Sequence, residues 1–156
     1  MNTFCTYALH QIEVAVLSVV AMIDKLTEED LLVRPTADKH SVGELLKHIA
    51  VICRADFLIS GGATQQEMSA YYAGVSLNNL KDIQAELLTS YSYLAQAFHD
   101  MDDEELHREV TSYWGATYTR YEWLLEILAH LYHHRGQLLA MLVHCNGKDP
   151  KVPLFE

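Results

Sequence analysis

Chain-breaking residues are scarce: 3 Pro and 7 Gly in 156 residues. Proline removes a backbone donor and glycine carries the largest backbone entropy cost, so their scarcity favours long uninterrupted helices. Cysteine is scarce as well. Cys5, Cys53 and Cys145 are odd in number and form no CxxC pair. That excludes a thiolate-rich metal site and reads as reduced thiols in a cytoplasmic protein. Positive charge is short: 11 Lys and Arg stand against 21 Asp and Glu, for a net charge of −10 with His neutral. Such an acidic surface repels phosphate, which argues against nucleic acid and against an anionic membrane surface as partners. The N-terminus lacks a basic segment followed by an apolar core and a cleavage site, so no signal peptide is expected. The apolar run 14–23 follows Glu13 and is too short to span a bilayer. No repeat, low-complexity tract or linker is visible, and the length suffices for a full core, so residues 1–156 are expected to form one domain.

Half of the residues are hydrophobic, and their spacing is helical. Residues 3–26 form a first helix that is apolar nearly all round, which places it in the centre of a bundle or at a subunit interface. A short capped turn at Thr27-Glu-Glu-Asp30 and a loop over 35–40 follow. Ser41-Val-Gly-Glu44 has the form of a capping box and opens a second helix with the stripe Val42, Leu45, Leu46, Ile49, Ile52, Cys53 and Phe57. Gly61-Gly62 ends it. Residues 63–75 read as a long loop with one helical turn at 65–71, a length that points to function. A third long helix runs from Asn78 or Asn79 to about Met101, and residues 102–106 form another capped turn. An irregular connection over 107–117 leads to a second capping box, Thr119-Arg-Tyr-Glu122. The last helix covers 120–146 and stops at Gly147. Four long helices joined in this way make an all-α four-helix bundle, with up-down-down-up as plausible as simple up-down alternation.

The chemistry concentrates in that last helix. Trp123, Ile127, Leu131, Leu138 and Met141 form its apolar stripe at about 100° per residue, with His130 and His134 in the middle and Gln137 beside them. An imidazole buried without a hydrogen-bond partner costs on the order of 1–3 kcal/mol, so two on one face need a reason. The blander reading is a pair of core histidines satisfied by carbonyls or Tyr hydroxyls. The i, i+4 spacing, however, lets two imidazole nitrogens converge on one divalent ion. His48, at the edge of the second helix's stripe, is the candidate third ligand. Three neutral nitrogens would leave a position open for water or substrate, which is the coordination of a catalytic site. The ligand type suits Zn²⁺, with Ni²⁺ and Cu²⁺ also compatible. Other metal chemistries lack their residues. Leu131 follows His130, so there is no HExxH, and Glu126 stands four residues before His130 where a di-iron site needs three. His133 and His144 read as polar edge residues, His10 as a satisfied or partly exposed histidine of the first helix, and Arg135 as a partner for a carboxylate or a carbonyl. Cys53 and Cys145 fall on apolar stripes, where buried thiols are inert.

The segments SVGELLKHIA, with His48, and TRYEWLLEILAHLYHHRGQLLAMLVHCNGKDP, with His130 and His134, resemble the DinB/YfiT-like superfamily. The resemblance spans most of the chain and is most specific at HxxxHRGQ. It implies a four-helix bundle, often a homodimer, with a divalent metal held at the positions of His48, His130 and His134. It also implies a thiol-dependent transferase or isomerase, since members of known activity use bacillithiol, mycothiol or glutathione. The expectation is a metal-dependent S-transferase in which the three-histidine site activates a low-molecular-weight thiol toward an electrophile. Zn²⁺ is the first choice of metal and Ni²⁺ the second. Gln137 would orient a ligand histidine or a metal-bound water. The alternatives are a non-catalytic metal or small-ligand binding or stress-response protein on the same bundle, and a metal-free structural dimer.

Overall fold

The computed structural model describes residues 2–155. Each long helix begins where the sequence offers an oxygen to its first free amides. Asn2 accepts from Phe4 N at the start of α1, Thr3–Ile23. Ser41 and Glu44 close a reciprocal capping box at α2, Val42–Ser60. Asn79 accepts from Asp82 N at α4, Leu80–Asp100. Thr119 accepts from Glu122 N at α6, Arg120–Ala140. A single 3-10 turn, Glu28–Leu32, follows α1. Chain direction after α6 is set by a π turn, Met141–Cys145, and by Gly147, whose φ of +63° is costly for any residue with a Cβ.

Two connections differ from the sequence reading. Residues 63–75, expected as a loop with one helical turn, contain the ten-residue helix α3, Gln65–Gly74. Its signal was present: Thr64-Gln-Gln-Glu67 is another capping box, with both Thr64 N and Thr64 Oγ1 bonded to Glu67. Residues 107–117, expected to be irregular, hold the last residue of the short helix α5, Asp103–His107, and then a hairpin of β1, Glu109–Thr111, and β2, Thr117–Thr119. The strands are antiparallel with Val110 opposite Tyr118. Three residues per strand are too few for a period of two to stand out. What holds the hairpin is Trp123 of α6, which is buried, donates its Nε1–H to Val110 O at 3.2 Å and packs its ring on Tyr118.

The four long helices form a ring in which α2 touches α4 and α6, and α1 touches the same two. Directions follow from the side-chain partners. Asn2 meets Asp103 and Gln84 meets Asp24, so α1 and α4 are antiparallel. Arg54 N bonds Ser90, and Phe57 packs on Tyr93 and Phe98, so α2 and α4 are parallel. His48 meets His134 while Asp56 meets His130, so α2 and α6 are antiparallel. The result is up-down-down-up. A main core of Ile12, Met22, Leu45, Ile49, Leu87, Leu124 and their neighbours fills the centre, with a smaller cluster of Ala55, Ile59, Met68 and Trp123 beside it.

α1 is long and apolar enough to cross a membrane by length and composition, which the run 14–23 taken alone did not indicate. Half of its apolar window is buried in the bundle, as expected of a core helix. It is not enclosed on all sides: Phe4, Tyr7 and Leu17 remain exposed.

Gly43 fixes how the first turn of α2 meets the 3-10 turn. A Cβ at this position would lie 2.9 Å from Leu31 O and 3.0 Å from Leu31 Cβ, so the backbone itself would have to move. Gly43→Ala should therefore cost about 1–3 kcal/mol through overpacking, although alanine is the better helix former. Urea unfolding of the two proteins measures this, and an unchanged or more stable variant would show that the contact is slack.

Candidate metal centre

The antiparallel α2–α6 pair brings His48, His130 and His134 to one point. His48 Nε2 lies 3.3 Å from His130 Nε2 and 3.2 Å from His134 Nε2, and all three nitrogens fall within 4.8 Å of one another. Nitrogens bonded to one tetrahedral ion at about 2.0–2.1 Å are separated by roughly 3.3–3.4 Å. The two His48 separations match that spacing, and the third pair lies within 4.8 Å, so the donor set suits a divalent cation. Among the described residues no fourth His, Cys, Asp or Glu joins this group.

Two of the three remaining ring nitrogens, those of the α6 histidines, are tied down. His130 Nδ1–H donates to Asp56 Oδ2 at 2.8 Å, and His134 Nδ1–H donates to Gln137 Oε1 at 2.9 Å. Each bond places the proton on Nδ1, turns the Nε2 lone pair toward the shared point and raises ring basicity. Gln137 thus stands beside His134, as its position one turn further along the helix suggested. Asp56 is a residue the sequence reading passed over. Its signal was a carboxylate embedded in the apolar run of α2 between Cys53 and Phe57, and only 9% of it is exposed. Glu126 Oε1 is 4.0 Å from His130 Nδ1, on the same side as Asp56. Asp56, Glu126 and His130 form a second group with ligand atoms within 4.8 Å, which shares His130 with the first.

Three positions differ from the expectation. His130 and His134 are half-buried at the margin of the apolar stripe, whereas its centre is Leu124, Ile127, Leu131 and Leu138. The margin is what allows them to face a cleft. Cys145, read as a stripe residue, is exposed because the chain has left the regular helix by then. Cys53 is buried, and burial pushes its thiol well above the ordinary range. His133 and His144 are exposed, as expected of polar edge residues, and His10, read as satisfied or partly exposed, is exposed as well. Arg135 is buried and does bond a carbonyl, that of Leu154 in the C-terminal tail, together with Ser18 Oγ at 3.1 Å. Its guanidinium lies over the rings of Tyr132 and Phe155.

Electrostatics keep the set of lone pairs available unevenly. Burial, reinforced by His134 and His130, holds His48 down to about 4, so it is neutral at pH 7. Burial also lowers His134, against the opposing effect of Gln137. His130 moves up, because its hydrogen bond to Asp56 outweighs its burial. Beside His48 opens a cleft of about 400 Å³, lined by Lys47, Val51, Tyr72, Val75, Leu77 and others from α2, α3 and the segment before α4. Burial, with Asp56 and Tyr113 nearby, pushes the Tyr72 hydroxyl up to about 12, so it is a neutral donor there.

The DinB superfamily profile matches residues 11–138. This chain belongs to the DinB superfamily. Its structure is similar to that of a protein assigned provisionally to the DinB family from Exiguobacterium sibiricum 255-15, with 35% identity, 99% of both chains covered and a TM-score of 0.87. It also resembles a DinB-like protein from Bacillus subtilis, at 19% identity over 99% of this chain and 98% of that one, with a TM-score of 0.70. A mycothiol-dependent maleylpyruvate isomerase shares the fold at 15% identity and a TM-score of 0.64, over 88% of this chain and 63% of the isomerase. None of the curated proteins matches the sequence.

The Asp56–His130 pair makes a pH prediction for metal-free protein. A raised folded-state pKa means that the pair stabilises the fold below the unfolded histidine value of about 6.5, and that this contribution fades as pH climbs through the folded value. Asp56→Asn should bring the His130 titration down. Following the His130 Cε1 proton resonance against pH reads this directly, and an unshifted midpoint would mean that Asp56 does not act on the ring.

Proposed function

We propose that His48, His130 and His134 hold a divalent cation, Zn²⁺ first and Ni²⁺ second, and that the protein is a metal-dependent S-transferase using a low-molecular-weight thiol. The observation that carries this reading is the convergence of three Nε2 atoms, two of them aimed by Nδ1 bonds to Asp56 and Gln137. A cation with an open position lowers the pKa of a bound thiol and so supplies thiolate, the nucleophilic form, at neutral pH. The chain's own residues would do the rest. His48 stays neutral and needs no deprotonation before binding. Asp56 and Gln137 hold the two α6 rings in place. The cleft beside His48 would receive the organic parts of thiol and electrophile. The thiol class is supported by a structural neighbour being a mycothiol-dependent enzyme, a likeness at the level of fold. Neither Cys53, buried, nor Cys145, on the surface, stands with the three histidines, so the thiol would come from solution.

One observation favours a second reading, a non-catalytic metal or small-ligand binding protein. Asp56 and Glu126, the carboxylates grouped with His130, lie on its Nδ1 side, away from the nitrogen that would face a substrate. Conjugation assays with several thiols on metal-loaded protein separate the two readings. We further propose a homodimer through the uncovered Phe4, Tyr7 and Leu17 of α1, a cytoplasmic location, and no nucleic-acid or membrane partner, given the charge of −10.

His130→Ala or His134→Ala should abolish metal binding and any thiol transfer while the bundle stays folded, losing about 1–3 kcal/mol for the cavity. Equilibrium dialysis and circular dichroism report the two effects; equal metal binding by wild type and variants would refute the site. Gln137→Ala should weaken metal affinity about 10–100-fold without abolishing the site. A variant indistinguishable from wild type in dialysis would reduce Gln137 to packing.

A further inference from the structure

The cleft beside the histidines has a polarity of its own. Lys47 precedes His48 on α2, so the same turn of helix offers the cleft one candidate ligand and one ammonium. The protein is strongly acidic, and five of its 11 Lys and Arg are committed elsewhere. Arg34 is paired with Glu44, Arg108 and Arg120 with Glu105, and Lys148 with Asp30. Arg135 is occupied by Ser18 and the Leu154 carbonyl. Lys47 makes no ion pair among the described residues, yet it lines both this cleft and an adjoining hollow shared with Arg34, Asp38, Lys39, His40 and Glu44.

Of the carboxylates on this side, Asp38 shares the hollow without forming an ion pair with Lys47 among the described residues, and two others are engaged elsewhere. Glu44 accepts from Arg34 at 2.7 Å and from Ser41 N at 2.8 Å. Asp82 accepts from Asn78 N at 3.1 Å and Asn79 Nδ2 at 3.0 Å, at the start of α4. Neither has Lys47 as a partner. The rest of the lining is mixed, with Val51, Val75 and Leu77 beside the Tyr72 hydroxyl, Ser76 and Asn78. A cleft of mixed lining that holds a histidine and, next to it in sequence, an ammonium without an ion pair is complementary to a short chain carrying a metal-binding head and an anionic arm.

We propose that this cleft selects a small thiol bearing a carboxylate, with Lys47 as the specificity-determining residue that receives the carboxylate. This rests on the three-histidine site holding a metal. With a cation held by His48, His130 and His134, the thiol sulfur would bind as thiolate with its proton lost to solvent, while Lys47 would face the carboxylate, which would stay ionised.

The test uses Co²⁺ as the probe metal in the full-length protein. Co²⁺ bound to the histidines gives visible absorption, and thiolate ligation adds a charge-transfer band in the near ultraviolet. Three thiols of similar length are titrated: 3-mercaptopropionate, 2-mercaptoethanol and cysteamine, which are anionic, neutral and cationic. Each is titrated into wild type, Lys47→Gln and Lys47→Glu. Comparing the same thiol between proteins removes its intrinsic sulfur basicity. At low salt, wild type should bind the anionic thiol about two- to fivefold more tightly than Lys47→Gln does, with little change for the neutral thiol. Lys47→Glu should reverse the order, now favouring cysteamine. Lys47 is exposed, so both variants should fold and bind Co²⁺ as wild type does. If wild type shows no Co²⁺ spectrum, the metal reading fails and this proposal with it. If Co²⁺ and thiols bind but the Lys47 substitutions leave the anionic-to-cationic ratio unchanged, the selection by Lys47 is overturned while the metal site stands.

Discussion

Everything at the candidate centre depends on one contact, the antiparallel packing of α2 against α6 in a fixed register. Two of the nitrogens come from one helix and the third from the other, and the carboxylate that aims His130 also comes from α2. A slip of a single residue along the α2–α6 interface is about 1.5 Å, which is a large fraction of a metal–nitrogen bond. The register is set away from the histidines. Leu45, Leu46, Ile49 and Ile52 of α2 and Leu124, Ile127, Leu131 and Leu138 of α6 are all fully buried in the common core. Close-packed side chains of this kind do not slide continuously past one another. The apolar core is therefore what makes the polar site geometrically accurate.

Both ends of the interface are pinned as well. At one end, Gly43 lets α2 begin directly against Leu31. At the other, Arg120 opens α6 beneath the end of α2, with its guanidinium 4.8 Å from the Phe57 ring and its only ionic partner, among the described residues, at Glu105. Between these ends, the side of α6 facing α1 is held by Tyr132 bonded to Gln11 and by Arg135 bonded to Ser18. The histidines thus sit on a helix restrained on two faces, which suits a site whose ligands must meet within tenths of an ångström.

Much of this was legible in the sequence where a local rule applies. Long helices, their capping residues and the pair His130 and His134 follow from spacing and from Ser41, Glu44, Thr119 and Glu122, because caps and periodicity act within a few residues. The approach of His48 to that pair is a long-range fact, and it came from the resemblance and from the logic of a bundle rather than from any residue near His48. Asp56 escaped notice because a single acid on an apolar face is unremarkable until the neighbouring helix is known. Lys47 escaped for a similar reason: its meaning comes from the segment 75–78 folding over it. α3 and the hairpin were missed differently. The capping box at Thr64 was readable, but its helix has almost no buried side, with Met68 its single buried residue, so no apolar stripe announced it.

The division of labour between two helices also bears on what could be moved into another protein. The HxxxHRGQ segment looks like a self-contained cassette, since it carries two imidazoles, the amide that orients one of them and an arginine. Grafted onto a foreign helix it would bring only half of its supports. The third nitrogen and the carboxylate belong to α2, and the arginine would have neither Ser18 nor the tail carbonyl to bond. The smallest portable unit is the antiparallel α2–α6 pair with the buried residues that set its register.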